Sequence, residues 1–176
     1  MTMRVLMLLL FSLLGCNTAE RPKNLLLPSQ RTAPSSDRRD ADLPKPALIK
    51  GPEFVGVVFP ANAKVMRGLY PPGASYWTPS ESDVLAAEER LIPFLKESKN
   101  PKVPAILNRI GAYKRQYRGV DLNGQKQIFI RFFCVTSSDD WMSDEIVVLD
   151  GGSCFFNLRF STDTKTFSDL WINGEA

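Results

Sequence analysis

Few residues in this chain could do chemistry, and none of its 176 positions is a histidine. That absence removes His-based triads, imidazole metal ligands and a histidine general base. The candidates left are cysteines and acidic clusters. Cys134 and Cys154 have no imidazole to draw a thiolate from them, so neither reads as a nucleophile. Glu88 and Glu89 are neighbours on a helical stretch, where adjacent side chains diverge by about 100°, and so they cannot form a carboxylate dyad. Glu88 falls at the edge of an apolar stripe and is expected to bridge to a strand arginine such as Arg115. Asp139, Asp140, Asp144 and Glu145 crowd one segment without the spacing of a calcium-binding loop, which predicts a solvated acidic loop. Asp150-Gly151-Gly152 joins two strand-like runs instead of opening a helix, so a tight turn is expected there and not a phosphate cradle. The residues thus assign no catalytic group, no metal and no cofactor.

Charge narrows the partners. The net charge of +3 is uneven: residues 17–52 hold seven basic and four acidic side chains, whereas from Glu53 onward 14 basic residues face 15 acidic ones. A folded part without basic excess has nothing to drive phosphate-backbone binding, and nucleic acid is not an expected partner.

The first residues are organised for delivery. Arg4 precedes a run from Val5 to Leu14 that is apolar apart from Ser12, followed by Gly15 and Cys16. The run is shorter than the roughly 20 residues a mature transmembrane helix needs, and it has the length of a secretory leader. Residues 17–52 carry six prolines among small and charged residues, with Leu25-Leu26-Leu27 as the one apolar patch. Such a segment buries too little surface to offset its ordering entropy and reads as a linker. The expected organisation is a leader over 1–15, Cys16 and a disordered linker to residue 52, and a single domain over 53–176.

Within the domain, Glu53–Phe59 is a short apolar run, an edge strand or a covering segment, and 61–76 reads as loop. Thr78-Pro79-Ser80-Glu81 has the form of a capping box with Thr78 as N-cap. The helix after it places Val84, Leu85, Ala87, Leu91, Ile92 and Leu95 on one broad side until Pro93 kinks or ends it. Asn100-Pro101 opens a second helical stretch with Val103, Ile106, Leu107 and Ile110, stopped by Gly111. Tyr113–Val120 alternates as a half-buried strand would, and Asn123-Gly124 marks a hairpin into 125–135. Further strands are expected at 145–149, 153–160 and 167–173. The predicted fold class is α+β: an N-terminal helix or helices packed on a curved antiparallel β-meander of about four to five strands.

Several segments resemble known families. Leu13-Leu14-Gly15-Cys16, placed directly after the apolar run, resembles the lipobox of bacterial lipoproteins. That resemblance implies diacylglycerol on the Cys16 sulfur, cleavage before it, and an anchor of several acyl chains. Asn17 is not the aspartate that retains many such proteins in the inner membrane, so the outer membrane, facing the periplasm, is the implied location. The helix-then-meander order over 78–173 resembles the cystatin-like and NTF2-like folds. Gln116-Tyr117-Arg118-Gly119-Val120 departs from the cystatin inhibitory signature at Arg118 and Val120, so protease inhibition is not implied. DGGSCFF and FSDLWINGEA are similar to uncharacterised bacterial lipoprotein domains.

An exported chain meets an oxidising compartment, so Cys134 and Cys154 are candidates for a disulfide. If a strand at 145–149 lies between them, they sit about 10 Å apart and stay as buried thiols; pairing requires their strands to be direct neighbours. The alternation of the last strands sorts Ile128, Ile130, Phe132, Phe156 and Leu158 to one face. Phe129, Arg131, Phe133, Phe155, Asn157, Arg159, Asp169 and Trp171 share the other. That second face is covered by the 53–76 segment, or it is a protein interface, self-association included, or a ligand groove. The functional reading is a non-enzymatic module, membrane-anchored through Cys16, with Phe129, Arg131, Phe133, Phe155, Arg159 and Trp171 meeting an envelope protein or a second copy. The alternatives are a small-ligand pocket between helix and sheet, lined by Trp77, Tyr113 and Tyr117, and an inhibitor or immunity-type module.

Overall fold

The computed structural model describes residues 44–66, 68–134 and 139–175. The expected leader, Cys16 and the expected linker as far as residue 43 lie outside the described residues. Among those described, the order is β1 (Ala47–Gly51), β2 (Phe54–Phe59), β3 (Ser75–Trp77), α1 (Glu81–Glu97), α2 (Val103–Leu107), β4 (Lys114–Leu122), β5 (Gln125–Phe133), β6 (Phe155–Ser161) and β7 (Phe167–Ile172). The class is α+β, with seven strands in one mixed sheet ordered β1-β2-β4-β5-β6-β7, and β3 also on β4.

The expected meander describes β4 to β7, which pair antiparallel in succession. The sheet is nevertheless larger than four or five strands, and it is not purely antiparallel. β2 joins β4 in parallel, from Val55 opposite Lys114 to Phe59 opposite Arg118. The connection between them contains both helices, which is what brings a chain back in the same direction. β3 then takes the rest of the same β4 edge, Trp77 lying opposite Gly119. A Cβ on Gly119 would collide with the Trp77 carbonyl, so the close approach needs glycine at this point. Glu53–Phe59 is therefore an interior strand and not a cover, and β4, buried on both faces from Arg115 to Val120, is not half-buried as its alternation suggested. Its polar residues face inward on both sides. β1 also lies inside the stretch expected to be linker, so the folded unit begins before Glu53.

α1 starts two residues later than expected. Ser80 is the N-cap: its hydroxyl accepts from the Asp83 N–H at 3.3 Å and its own N–H donates to Asp83 at 3.0 Å. Thr78 instead accepts from the Ala61 N–H at 2.9 Å. Both residues have an acid three positions on, Glu81 and Asp83, so the local pattern fits either; the Thr78 hydroxyl is engaged by Ala61, and Ser80 forms the box with Asp83. The helix runs through Pro93 to Glu97. Its buried stripe is Val84, Ala87, Leu91 and Leu95, while Leu85 stands 44% exposed. The stripe packs on Tyr113, Tyr117, Ile128, Ile130, Phe156 and Leu158.

Glu145–Leu149 is not a strand. β6 occupies the edge of β5 where it would have paired, Phe133 lying opposite Phe155. Buried Gln116 holds the segment off the sheet: its Nε2 donates to the Trp141 and Asp144 carbonyls at 2.6 and 2.7 Å, and its Oε1 accepts from the Ile146 N–H at 2.8 Å. With nothing between β5 and β6, Cys134 and Cys154 are bonded, their Cα atoms 5.1 Å apart.

Candidate functional site

The face expected to combine aromatics with arginine exists, and it is built in two halves. At one end it is covered. The Tyr70 ring stands edge-on to Phe129 at 5.1 Å, and Trp141 packs edge-on to Phe133 at 5.9 Å. Val57, Phe59, Phe133 and Trp141 form a second small core there. Coverage thus comes partly from the loop before β3, as expected, and partly from the 139–146 segment, which the sequence had placed in solvent.

Beneath the cover lies a charge cluster that sequence reasoning missed. Glu145 does not join a solvated acidic loop; its side chain is 4% exposed. Its Oε1 accepts from Arg118 Nε at 3.1 Å, Arg131 Nη1 at 3.3 Å and the Tyr70 hydroxyl at 2.5 Å. Arg131 Nη1 also donates to the Tyr70 oxygen at 2.7 Å. Arg118 spends its remaining nitrogens on the carbonyls of Pro60 and Lys64, which fixes the loop leading to Tyr70. Burial pushes the Tyr70 phenol above its ordinary 10.0, with Arg131 lowering it and Glu145 raising it, so Tyr70 keeps its proton and acts as a donor. A signal for this cluster was present: Arg118 and Arg131 sit in apolar strands and need a carboxylate from elsewhere in the chain.

The opposite face carries a matching arrangement. Arg115 Nε lies 3.1 Å from Glu88 Oε1, the ion pair the stripe geometry predicted, and the Tyr117 hydroxyl donates to the same oxygen at 2.7 Å. Desolvation raises Glu88 above its ordinary 4.5, although Arg115 and Tyr117 both act to lower it. Tyr113 and Tyr117 are fully buried, and their hydroxyls are engaged by the Ser153 carbonyl and Glu88. They belong to the packed core between α1 and the sheet and do not line a pocket.

The other half of the arginine-aromatic face is open. A groove of about 500 Å³ runs across it, with Phe129, Phe155 and Trp171 along the sheet and Val147 and Val148 on the facing segment. Trp171 is 69% exposed, and Val147, Val148 and Leu149 are exposed beside it. Asn173 props this wall, its amide donating to the carbonyls of Val148 and Asp150 at 2.5 and 3.0 Å. At the rim, Arg159 Nε lies 3.2 Å from Asp169, with the guanidinium 4.8 Å from the Phe129 ring centroid. Of the predicted contact residues, Phe129, Arg131, Phe155, Arg159 and Trp171 meet in the groove; Phe133 reaches its floor but is 1% exposed. Among the described residues no group of three or more acidic or cysteine side chains is placed to hold a metal ion.

Comparison with protein-family models, with curated proteins and with solved structures gave no match.

Proposed function

We propose that this chain is a non-enzymatic binding protein of the bacterial envelope, tethered by lipid at Cys16 to the periplasmic face of the outer membrane. Its binding site is the groove on the sheet face opposite α1. The observation that carries the reading is this open groove, walled by exposed apolar side chains and floored by arginine. A monomeric domain leaves so contiguous an apolar surface in water mainly where something binds. The order of a helix followed by an antiparallel meander supports the cystatin-like or NTF2-like likeness, with a parallel strand added. The site differs from the helix–sheet pocket expected of an NTF2-like binder, since that space is filled by Tyr113, Tyr117 and Leu91.

Photocrosslinking in the native envelope tests the site. A benzophenone side chain at Trp171 should give a discrete adduct, whereas the same group at exposed Leu85 should not; equal labelling at both positions removes the groove as the site. Cys16→Ala tests the tether: the protein should leave the membrane fraction on high-salt washing, and retention there means the anchor is not lipid on Cys16.

A further inference from the structure

Among the polar groups at the groove floor, Arg131 keeps donors that its neighbours leave unused. Arg131 is 9% exposed and lines the groove floor. Its Nη1 serves Tyr70 and Glu145, while Nε and Nη2 have no partner among the described residues. A guanidinium presents its donors in a planar fork that fits a carboxylate two-pronged. Neither nitrogen is among the buried polar atoms left without a partner, so both reach solvent through the groove, where an anion could take the place of water on the fork.

The charge balance says how much anion. In and beneath the groove the three arginines Arg118, Arg131 and Arg159 face two carboxylates, Glu145 and Asp169, leaving one positive charge. A monoanion neutralises it. A dianion such as a phosphate monoester leaves an excess negative charge beside Asp169 at the rim. The walls speak to the rest of the ligand: Phe129, Phe155, Val147, Val148 and Trp171 offer an apolar lining, with Asn157, Arg159, Asp169 and Asn173 as the other polar residues around it. A cavity of about 500 Å³ falls in the range of small-molecule sites.

Resting on the binding-protein reading above, we infer that the groove takes an amphipathic monocarboxylate: one carboxylate on the free fork of Arg131, and an acyl chain lying along Phe129, Phe155 and Trp171. The free fork, the single surplus charge and the apolar walls are three separate observations that agree on this class.

Quenching of Trp171 fluorescence tests it. The full chain in nanodiscs of zwitterionic phospholipid is titrated with 12-bromododecanoate, 12-bromododecanol and the phosphate monoester of that alcohol. Trp171→Phe identifies the part of the signal that comes from the groove. The carboxylate should quench saturably at about tenfold lower concentration than the alcohol, as a charge-assisted hydrogen-bonded pair requires. Arg131→Lys keeps the charge but not the fork, and it should erase most of that preference while the near-ultraviolet dichroism stays as in the parent. Asp169→Asn serves as a second variant away from the core, and it should strengthen phosphate-ester binding selectively. Equal quenching by alcohol and carboxylate overturns the anion assignment and leaves the groove as a binding site. Tighter binding of the phosphate ester, or of a peptide with a free C-terminal carboxylate, overturns the acyl-chain assignment. No Trp171 quenching by any of these probes overturns the inference, and the groove as a binding site then stands or falls on the crosslinking result alone.

Discussion

Glu145→Gln is the sharpest perturbation this fold offers. One carboxylate oxygen accepts from two guanidiniums and a phenol, and the three charged side chains are 1%, 11% and 4% exposed in the order Arg118, Arg131, Glu145. The amide keeps the shape and one accepting oxygen, so packing changes little, but two buried cations lose the one counter-charge they have among the described residues. Removing one partner from a buried pair costs about 3–5 kcal/mol. For a domain of this size that lowers the melting temperature by roughly 10–20 °C. A matched control lies on the same face: Asp169→Asn breaks the Arg159 pair, in which Asp169 is 57% exposed. An exposed pair is worth about 0–1 kcal/mol, so that variant should melt within a few degrees of the parent. Urea or thermal unfolding followed by far-ultraviolet dichroism reads both. The reasoning is refuted if the two variants lose similar stability, because the difference rests entirely on water being excluded from Arg118, Arg131 and Glu145.

Ser80→Ala should destabilise by about 1 kcal/mol through loss of the N-cap, and capping is misassigned if α1 helicity and stability are unchanged. Glu88 is raised in the folded state above its ordinary 4.5, so the folded state binds the extra proton between that value and its own. Its contribution to stability is full below the unfolded value and is lost as pH rises through the folded one. Glu88→Gln retains an acceptor for Tyr117 and should remove that decline, so the parent-minus-variant stability should fall from pH 4 to 7 in urea melts; a flat difference contradicts the assignment. Cys134 and Cys154 lie 20 residues apart, and a crosslink over that span is worth about 3 kcal/mol by loop entropy. Reduction should lower stability by that order, and thiol counting without reductant in denaturant should find neither cysteine free.

The meander was legible because its signals are local. Asn123-Gly124 and the period-two alternation of Ile128, Ile130 and Phe132 depend on adjacent residues, and β5, β6 and β7 fall where they were expected. The split of the two faces followed from the same alternation, and it brought Phe129, Arg131, Phe155, Arg159 and Trp171 into one groove. What was not legible depended on distant partners. Glu145-Ile146-Val147-Val148-Leu149 has the composition of a strand, yet β6 holds the only β5 edge it could use and Gln116, 30 residues away, hydrogen-bonds it elsewhere. Parallel pairing of β2 with β4 spans both helices and leaves no turn signature. Arg118 and Glu145 likewise announce nothing locally, since each is ordinary in its own segment and informative only as a pair. The Thr78 cap erred for a smaller reason, because two residues of capping type stood two positions apart.

β4 holds Arg115 and Arg118 three positions apart, so one guanidinium faces α1 and the other faces the groove side. Each meets its own carboxylate, and neither carboxylate belongs to the sheet. Sliding β4 by one residue against its neighbours turns every side chain to the opposite face. Arg115 would then sit under the groove-side cover without Glu88, and Arg118 would be driven into the apolar layer beneath α1 without Glu145. The two ion pairs therefore work as index marks on the central strand: whatever they add to stability, they make the neighbouring alignments of a long, well-formed sheet electrostatically forbidden. The groove inherits that fixity, since Arg131 shares Glu145 with Arg118 and is held in line by the strand that cannot slip.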